Sequence, residues 1–256
     1  MPNTNAFDRL RVVLVNTRNP LNIGAAARAM SNFGFARLRV VNPFELAFRE
    51  ARSAVGAAPL LARAEEFKSV AEAVADCLLV VGTTALSRRN PEQDVRGLEQ
   101  SARLIRKRLA AGNVALLFGS EKRGLSNEDL SHCHWLMRIP TREEHRSMNL
   151  GQAVAVCLYE LAREAKPAAG KEKVSRAAAG DLERLTSLLL ELLQASGYLK
   201  TASDKAGSRK SAAPADEKLR RFVRRLNLSA DDAQLLLGML RQMEWKLRTS
   251  AKLDYQ

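Results

Sequence analysis

LLFGSEKRGLSNEDL, from Leu116 to Leu130, completes an apolar run that begins at Val114 and stops at Phe118. Gly119 follows, then a charged turn, a second glycine at Gly124, and Ser126 at the head of a short helix signal. A buried strand opening into a glycine-shaped loop is where open α/β sheets bind ligands. Glycine allows close backbone approach and positive φ without a Cβ clash. The stretch has neither the GxGxxG spacing of a dinucleotide fold nor the GK[ST] ending of a phosphate loop. It predicts a ligand loop of another kind and disfavours a nicotinamide-dependent enzyme.

The same grammar extends in both directions. LRVVLV (Leu10 to Val15), LRVVN (Leu38 to Asn42), CLLVVG (Cys77 to Gly82) and WLMRI (Trp135 to Ile139) are short and apolar. Helical segments lie between or after them, at Ile23–Phe33, Ser69–Ala75, Leu98–Ala110 and Leu150–Ala165. Short apolar strands alternating with helices predict an α/β fold with a mainly parallel sheet covered on both faces. Residues 1–165 read as one domain. The composition changes at Lys166, and 166–178 reads as a linker rich in Ala, Gly and charge. Residues 179–256 read as a small all-helical extension. One helix carries Leu182, Leu185, Leu189 and Leu193, a polar loop covers Thr201–Asp216, and further helices fall near Glu217–Leu226 and Ser229–Arg248.

Charge points to the partner. The 256 residues carry a formal net charge of +13, with pI near 10.2, which favours a polyanion. Residues 166–256 hold +7 of that charge and the longer remainder +6. KLRRFVRR (Lys218 to Arg225) and GSRK (Gly207 to Lys210) are the densest patches. They read either as a solvated helix face or as a grip on an RNA backbone. A bilayer span is disfavoured, because no run reaches about 20 apolar residues, and a membrane surface is disfavoured, because no basic amphipathic helix has an aromatic face. Three widely spaced cysteines suit reduced thiols, and the first ten residues lack an apolar signal segment, so a cytoplasmic setting is expected. His132, Cys133 and His134 sit together in SHCHW, but no second cluster supplies metal-ligand spacing. They read as packing or turn residues.

Three segments in order carry a resemblance: NTRNPLNIGAAARAMSNFGF (Asn16 to Phe35), the opening stretch, and IPTREEHRSMNLGQAVAVCLYEL (Ile139 to Leu161). Together they resemble the motifs of the SPOUT superfamily of RNA methyltransferases, in its TrmH-like branch, over about residues 10–165. In the tail, GDLERL…LLQASGYL and KLRR…LLLGMLRQME resemble the C-terminal extension of the TrmJ subfamily. The resemblance implies a C-terminal trefoil knot that holds S-adenosyl-L-methionine. It implies a homodimer that needs neither metal nor membrane, and methylation of a ribose 2′-hydroxyl at the first anticodon-loop nucleotide of tRNA.

By position, the resemblance assigns the cofactor to Thr83, Thr84, Ala85, Gly119, Ile139, Arg146, Ser147 and Met148. It assigns catalysis to Arg28, with Asn22, Glu121 and Asn149 beside it. A guanidinium is a poor general base. Arg28 would therefore act through a phosphate-assisted route or stabilise a developing alkoxide. Either asparagine could instead simply cap a helix, and Glu121 could face the other subunit's site. Three positions depart from the family pattern: Asn16 stands for a glutamate, Arg146 for a small polar residue and Ser120 for an arginine. Ribosomal RNA as substrate, and a non-catalytic RNA-binding protein of the same fold, are the alternatives.

Overall fold

Strands β1 (Leu10–Val15), β2 (Arg37–Val41), β3 (Glu65–Phe67), β4 (Leu79–Thr83), β5 (Val95–Gly97), β6 (Val114–Phe118) and β7 (Trp135–Arg138) form one sheet. Its order is β3-β2-β1-β6-β4-β7-β5, and every pairing is parallel. The computed structural model describes residues 6–43, 58–85, 91–163, 175–199 and 215–253.

The apolar strands are continuous in sequence because both faces of the sheet are covered. Val12 and Leu14 of β1 point into one core with Leu116 and Phe118 of β6. Val13 and Val15 point into the other with Ala115 and Leu117. Helices α1 (Pro20–Asn32), α4 (Leu98–Leu109) and α6 (Leu150–Ala162) cover the first face; α3 (Val70–Val74) and α5 (Asn127–Ser131) serve the second. A short α2 spans Ala58–Ala62. The expected strands and helices appear within a few residues of their sequence positions. The edge strands β3 and β5 had no apolar run to announce them. Each is three residues long and only half-buried or exposed.

Helices α7 (Ala179–Ala195), α8 (Ala215–Arg225) and α9 (Ala230–Leu253) follow. Leu182, Leu185, Val223, Ala233 and Leu237 close a third core among them. Leu192, not Leu193, lies on the buried side of α7. Asp232 N–H donates to Ser229 Oγ at 3.0 Å, the expected cap of α9. The end of the linker stretch is packed: Ala177 N–H donates to Leu228 O at 3.1 Å, and Ala179 N–H to Cys77 O at 2.9 Å.

Lys218–Arg225 departs from the expected RNA-facing patch. Glu217, Arg220, Arg221 and Arg224 recur at helical spacing and are buried together. The arginines face Glu183 of α7, Glu92, and Asp216 and Glu217 of α8 itself. Lys218, Phe222 and Arg225 are left on the exposed side. A dense basic run does not tell a solvated face from one that is docked on acids. GSRK at 207–210 lies outside the described residues.

Candidate active site

β6, β4 and β7 are neighbours and run in the same direction, so the loops leaving them converge at one edge of the sheet. Thr83, Thr84 and Ala85 leave β4, Gly119 leaves β6 and Ile139 leaves β7. With Arg146, Ser147 and Met148 they line one cavity of about 410 Å³, within the range of small-molecule sites. All eight residues assigned by resemblance are thus brought together. The cavity also takes Phe118, Leu125, Leu130, Met137 and Leu150. These side chains looked like ordinary core in the sequence, and only strand direction shows that they reach the opening.

The loop ends are laced together. Thr83 Oγ1 donates to Leu117 O at 2.9 Å, and Thr84 N–H donates to Met137 O at 3.0 Å. Gly119 is glycine for a reason other than ligand approach. A Cβ there would lie 2.1 Å from the carbonyl carbon of Gly124 and 2.2 Å from the amide nitrogen of Leu125. The loop folds back over Gly119, with Gly124 N–H donating to Ser120 O at 2.8 Å. Gly124 itself has φ of 66°, where a side chain would be strained.

The three motif segments meet in one hydrogen-bond chain. Asn149 Nδ2 donates to Asn22 Oδ1 at 2.8 Å, and Asn22 Nδ2 donates to Glu121 Oε1 at 2.9 Å. Asn149 also caps α6 by accepting from Gly151 N–H at 2.9 Å. Asn19 caps α1, accepting from Leu21 N–H at 3.0 Å. Glu121 lines the cavity, whereas Asn22 and Asn149 brace it from behind. Glu121 is therefore held by its own chain's α1.

Arg28 does not line this cavity. It is exposed on α1, on the same side as Leu21, Ala25 and Asn32, at spacings of one helix face. Asn16 has φ of 53°, a left-handed conformation that asparagine tolerates better than glutamate. Arg146 donates through Nε to Glu143 O at 3.2 Å and lines the cavity rim.

The cavity combines apolar walls, backbone edges and the cations Lys122, Arg123 and Arg146. That suits a ligand with a flat apolar part and an anionic group. SHCHW contributes no lining residue. Burial, with Arg220 and Arg224 nearby, lowers the His132 pKa to about 3. Burial, with Arg224 nearby, likewise lowers that of His134 to about 3, and His134 Nδ1 accepts from Val80 N–H at 3.1 Å. Burial pushes the Cys133 thiol far up. Among the described residues no group of His, Cys, Asp and Glu could hold a metal, and no helix is long and apolar enough to cross a membrane.

Residues 9–159 match the model of the SpoU rRNA methylase family. The tRNA (cytidine/uridine/adenosine-2′-O-)-methyltransferase TrmJ of Pseudomonas aeruginosa is 36% identical over 245 residues, spanning 93% of this chain and 95% of its own. The tRNA (cytidine/uridine-2′-O-)-methyltransferase TrmJ of Sodalis glossinidius is 34% identical over 241 residues, 92% of this chain and 91% of its own. The crystal structure of TrmJ from Z. mobilis superposes with a TM-score of 0.76 at 31% identity, covering 91% of this chain and 98% of that one.

Proposed function

The chain belongs to the SpoU methylase family, in its TrmJ group, and from that premise we propose that it methylates the ribose 2′-hydroxyl of a cytidine or uridine in tRNA with S-adenosyl-L-methionine. The observation that carries the reading is the cavity where the β6, β4 and β7 loops converge. Bound there, S-adenosyl-L-methionine supplies a sulfonium-activated methyl group. The residues fit that group: Phe118, Leu130, Met137 and Ile139 offer apolar walls for an adenine. Lys122, Arg123 and Arg146 in the lining would pair with a carboxylate or phosphate.

This chain's residues position and polarise. The Asn149–Asn22–Glu121 chain fixes the loop beside the cavity relative to α1 and α6, so a substrate meets a preorganised edge. Arg28 neutralises negative charge at the ribose, either as the hydroxyl loses its proton or on the neighbouring phosphate. Its place outside the lining of its own cavity fits a homodimer, in which α1 of one subunit faces the cavity of the other. Leu21, 79% exposed on α1, and Tyr159, 52% exposed on α6, are the apolar surface such a contact would cover. The SPOUT knot around the cavity-forming segments and residues 179–256 as a tRNA-binding extension after a 166–178 linker belong to the same reading. So does modification at the first anticodon-loop nucleotide. A reducing cytoplasm suits the three buried free thiols.

The deciding experiment incubates the protein with labelled S-adenosyl-L-methionine and tRNA transcripts, with and without a 2′-deoxy substitution at the candidate nucleotide. Label should enter only the hydroxyl-bearing transcript. Failure to bind S-adenosyl-L-methionine would favour the non-catalytic alternative, and label in ribosomal RNA alone would favour the other.

A further inference from the structure

Helix α8 turns its buried face onto two walls of the cofactor cavity from behind. Arg220 Nη1 donates to Ser131 Oγ at 3.0 Å, at the end of α5. Leu130, one residue earlier, lines the cavity. Arg221 Nε lies 3.0 Å from Glu92 Oε2, and Pro91, one residue earlier, also lines the cavity. Gln93 ties the two walls to each other, its Nε2 donating to Leu130 O at 2.8 Å. Cys133, just past α5, packs so closely on β4 that a Cβ at Gly82 would meet its sulfur at 2.8 Å. Gly82 immediately precedes Thr83 of the cavity.

Arg220 is anchored on the far side by α7, and Arg221 is held by Glu217 one turn back on α8 at 3.4 Å. Glu183 of α7 faces Arg220 at 3.0 Å and Arg224 at 3.6 Å. Arg224 is 3% exposed and has buried guanidinium nitrogens without a hydrogen-bond partner among the described residues. Burial lowers its pKa to about 10, against the pull of Glu183, so it stays charged at neutral pH. A buried cluster of three arginines costs desolvation. A helix needed only to bind RNA would leave its arginines in water.

We propose that Arg220 and Arg221 are positioning residues for the cofactor site: they hold α5 and the Pro91–Asp94 segment in place, so affinity for the methyl donor depends on the docked helical extension even when no RNA is present. This rests on the assignment of the cavity to S-adenosyl-L-methionine. The extension then has two separable faces. The buried face of α8 serves the cofactor, and Lys218 and Arg225 on the exposed face are free to meet RNA.

Calorimetric titration of the full chain with S-adenosyl-L-methionine, without RNA, tests this. Arg221→Ala and Glu92→Ala should each weaken binding by about fivefold, the upper range for a partly exposed ion pair. The double variant should be no weaker than Arg221→Ala, which already loses both the Glu92 pair at 3.0 Å and the Glu217 contact at 3.4 Å. Arg221→Lys should recover part of the affinity. Lys218→Ala should leave the cofactor titration unchanged and weaken only tRNA binding. Glu92 is 57% exposed in its side chain, so Glu92→Ala keeps the test open if an arginine variant fails to fold. No binding to the wild-type chain would refute the cavity assignment itself. Wild-type binding with unchanged affinity in Glu92→Ala and Arg221→Ala would overturn the positioning role. Additive losses in the double variant would equally refute a shared contact.

Discussion

Asn149 and Asn22 are 127 residues apart in the chain and joined side chain to side chain at 2.8 Å. One residue caps α6, and the other is buried in the first turn of α1. Beyond Asn22 the same chain reaches Glu121 in the glycine loop. Asn22→Ala removes the shared partner of both neighbours. The expected cost is about 1–3 kcal/mol, that of stranding buried or half-buried polar groups. It is read as a lower urea midpoint with unchanged slope, together with reduced methylation.

Gly119 and Gly124 should respond differently to alanine. At Gly119 the new Cβ meets fixed backbone at 2.1 Å, so the loop must open and the cavity deform. Cofactor binding should fall below detection. At Gly124 nothing lies within 4 Å of the new Cβ, and only the positive φ is penalised. The expected loss there is about 1 kcal/mol of stability with cofactor binding retained. Calorimetry and thermal melts on the two variants separate clash from conformational strain.

Arg28→Ala should lower methylation by at least about a hundredfold, as for loss of one transition-state stabilising group, with cofactor affinity nearly intact. Leu21→Arg places a charge at the N-terminal end of the exposed α1 face and should convert a dimer to a monomer by light scattering. If Arg28 serves the partner's cavity, the Leu21→Arg protein loses methylation as well. Full activity in a monomeric Leu21→Arg protein would remove the cross-subunit role.

The architecture was legible because both sheet faces are buried, and burial writes an apolar run into each central strand. Val12–Leu14 and Leu116–Phe118 could be placed from residue type alone. The loops that line the cavity were singled out through resemblance, since Ser147 or Thr84 has no chemistry that would mark it. Other features were hidden for physical reasons. Leu130 and Phe118 differ from core leucines and phenylalanines only in where their strand or helix ends. Arg220, Arg221 and Arg224 looked like an RNA grip because two of their counter-ions, Glu92 and Glu183, lie far away in sequence, beyond the local Asp216 and Glu217. The need for Gly119 arises from Gly124 and Leu125 folding back, which no single residue announces.

Acid should weaken the fold before carboxylates titrate. His132 and His134 have folded pKa values of about 3, below the ordinary 6.5. Their contribution is therefore complete above pH 6.5 and is lost as pH falls from 6.5 toward 3. Each adds at most about 1.4 kcal/mol per pH unit. Melting temperature measured from pH 7 to pH 5 should fall, and His134→Asn should flatten the slope by up to one proton.

Asp76 gives the complementary case. Burial disfavours its charge, but the hydrogen bond and charge of Arg39, with Arg11, outweigh this and hold the carboxyl at about 2. A depressed acid stabilises above its unfolded value near 3.8 and loses that contribution between about pH 3.8 and 2. The side chain is 41% exposed, so screening reduces the benefit to roughly 1 kcal/mol. Asp76→Asn should lower the urea midpoint at pH 7 by that much and remove the last step of the acid transition.

The strand order sets a timetable for the nascent chain. β4 pairs only with β6 and β7, and β1 reaches β4 only through β6. While the first 113 residues leave the ribosome, β4 has no neighbour, and the β1–β2–β3 half has the β1 edge unpaired as well as the outer edge of β3. Val114–Phe118 must then enter between two pieces already made, pairing on both sides at once. Such late, long-range closure is slow and leaves strand edges exposed to other chains. Slow translation or a chaperone acting between residues 83 and 118 should therefore govern soluble yield more than any substitution in the cavity.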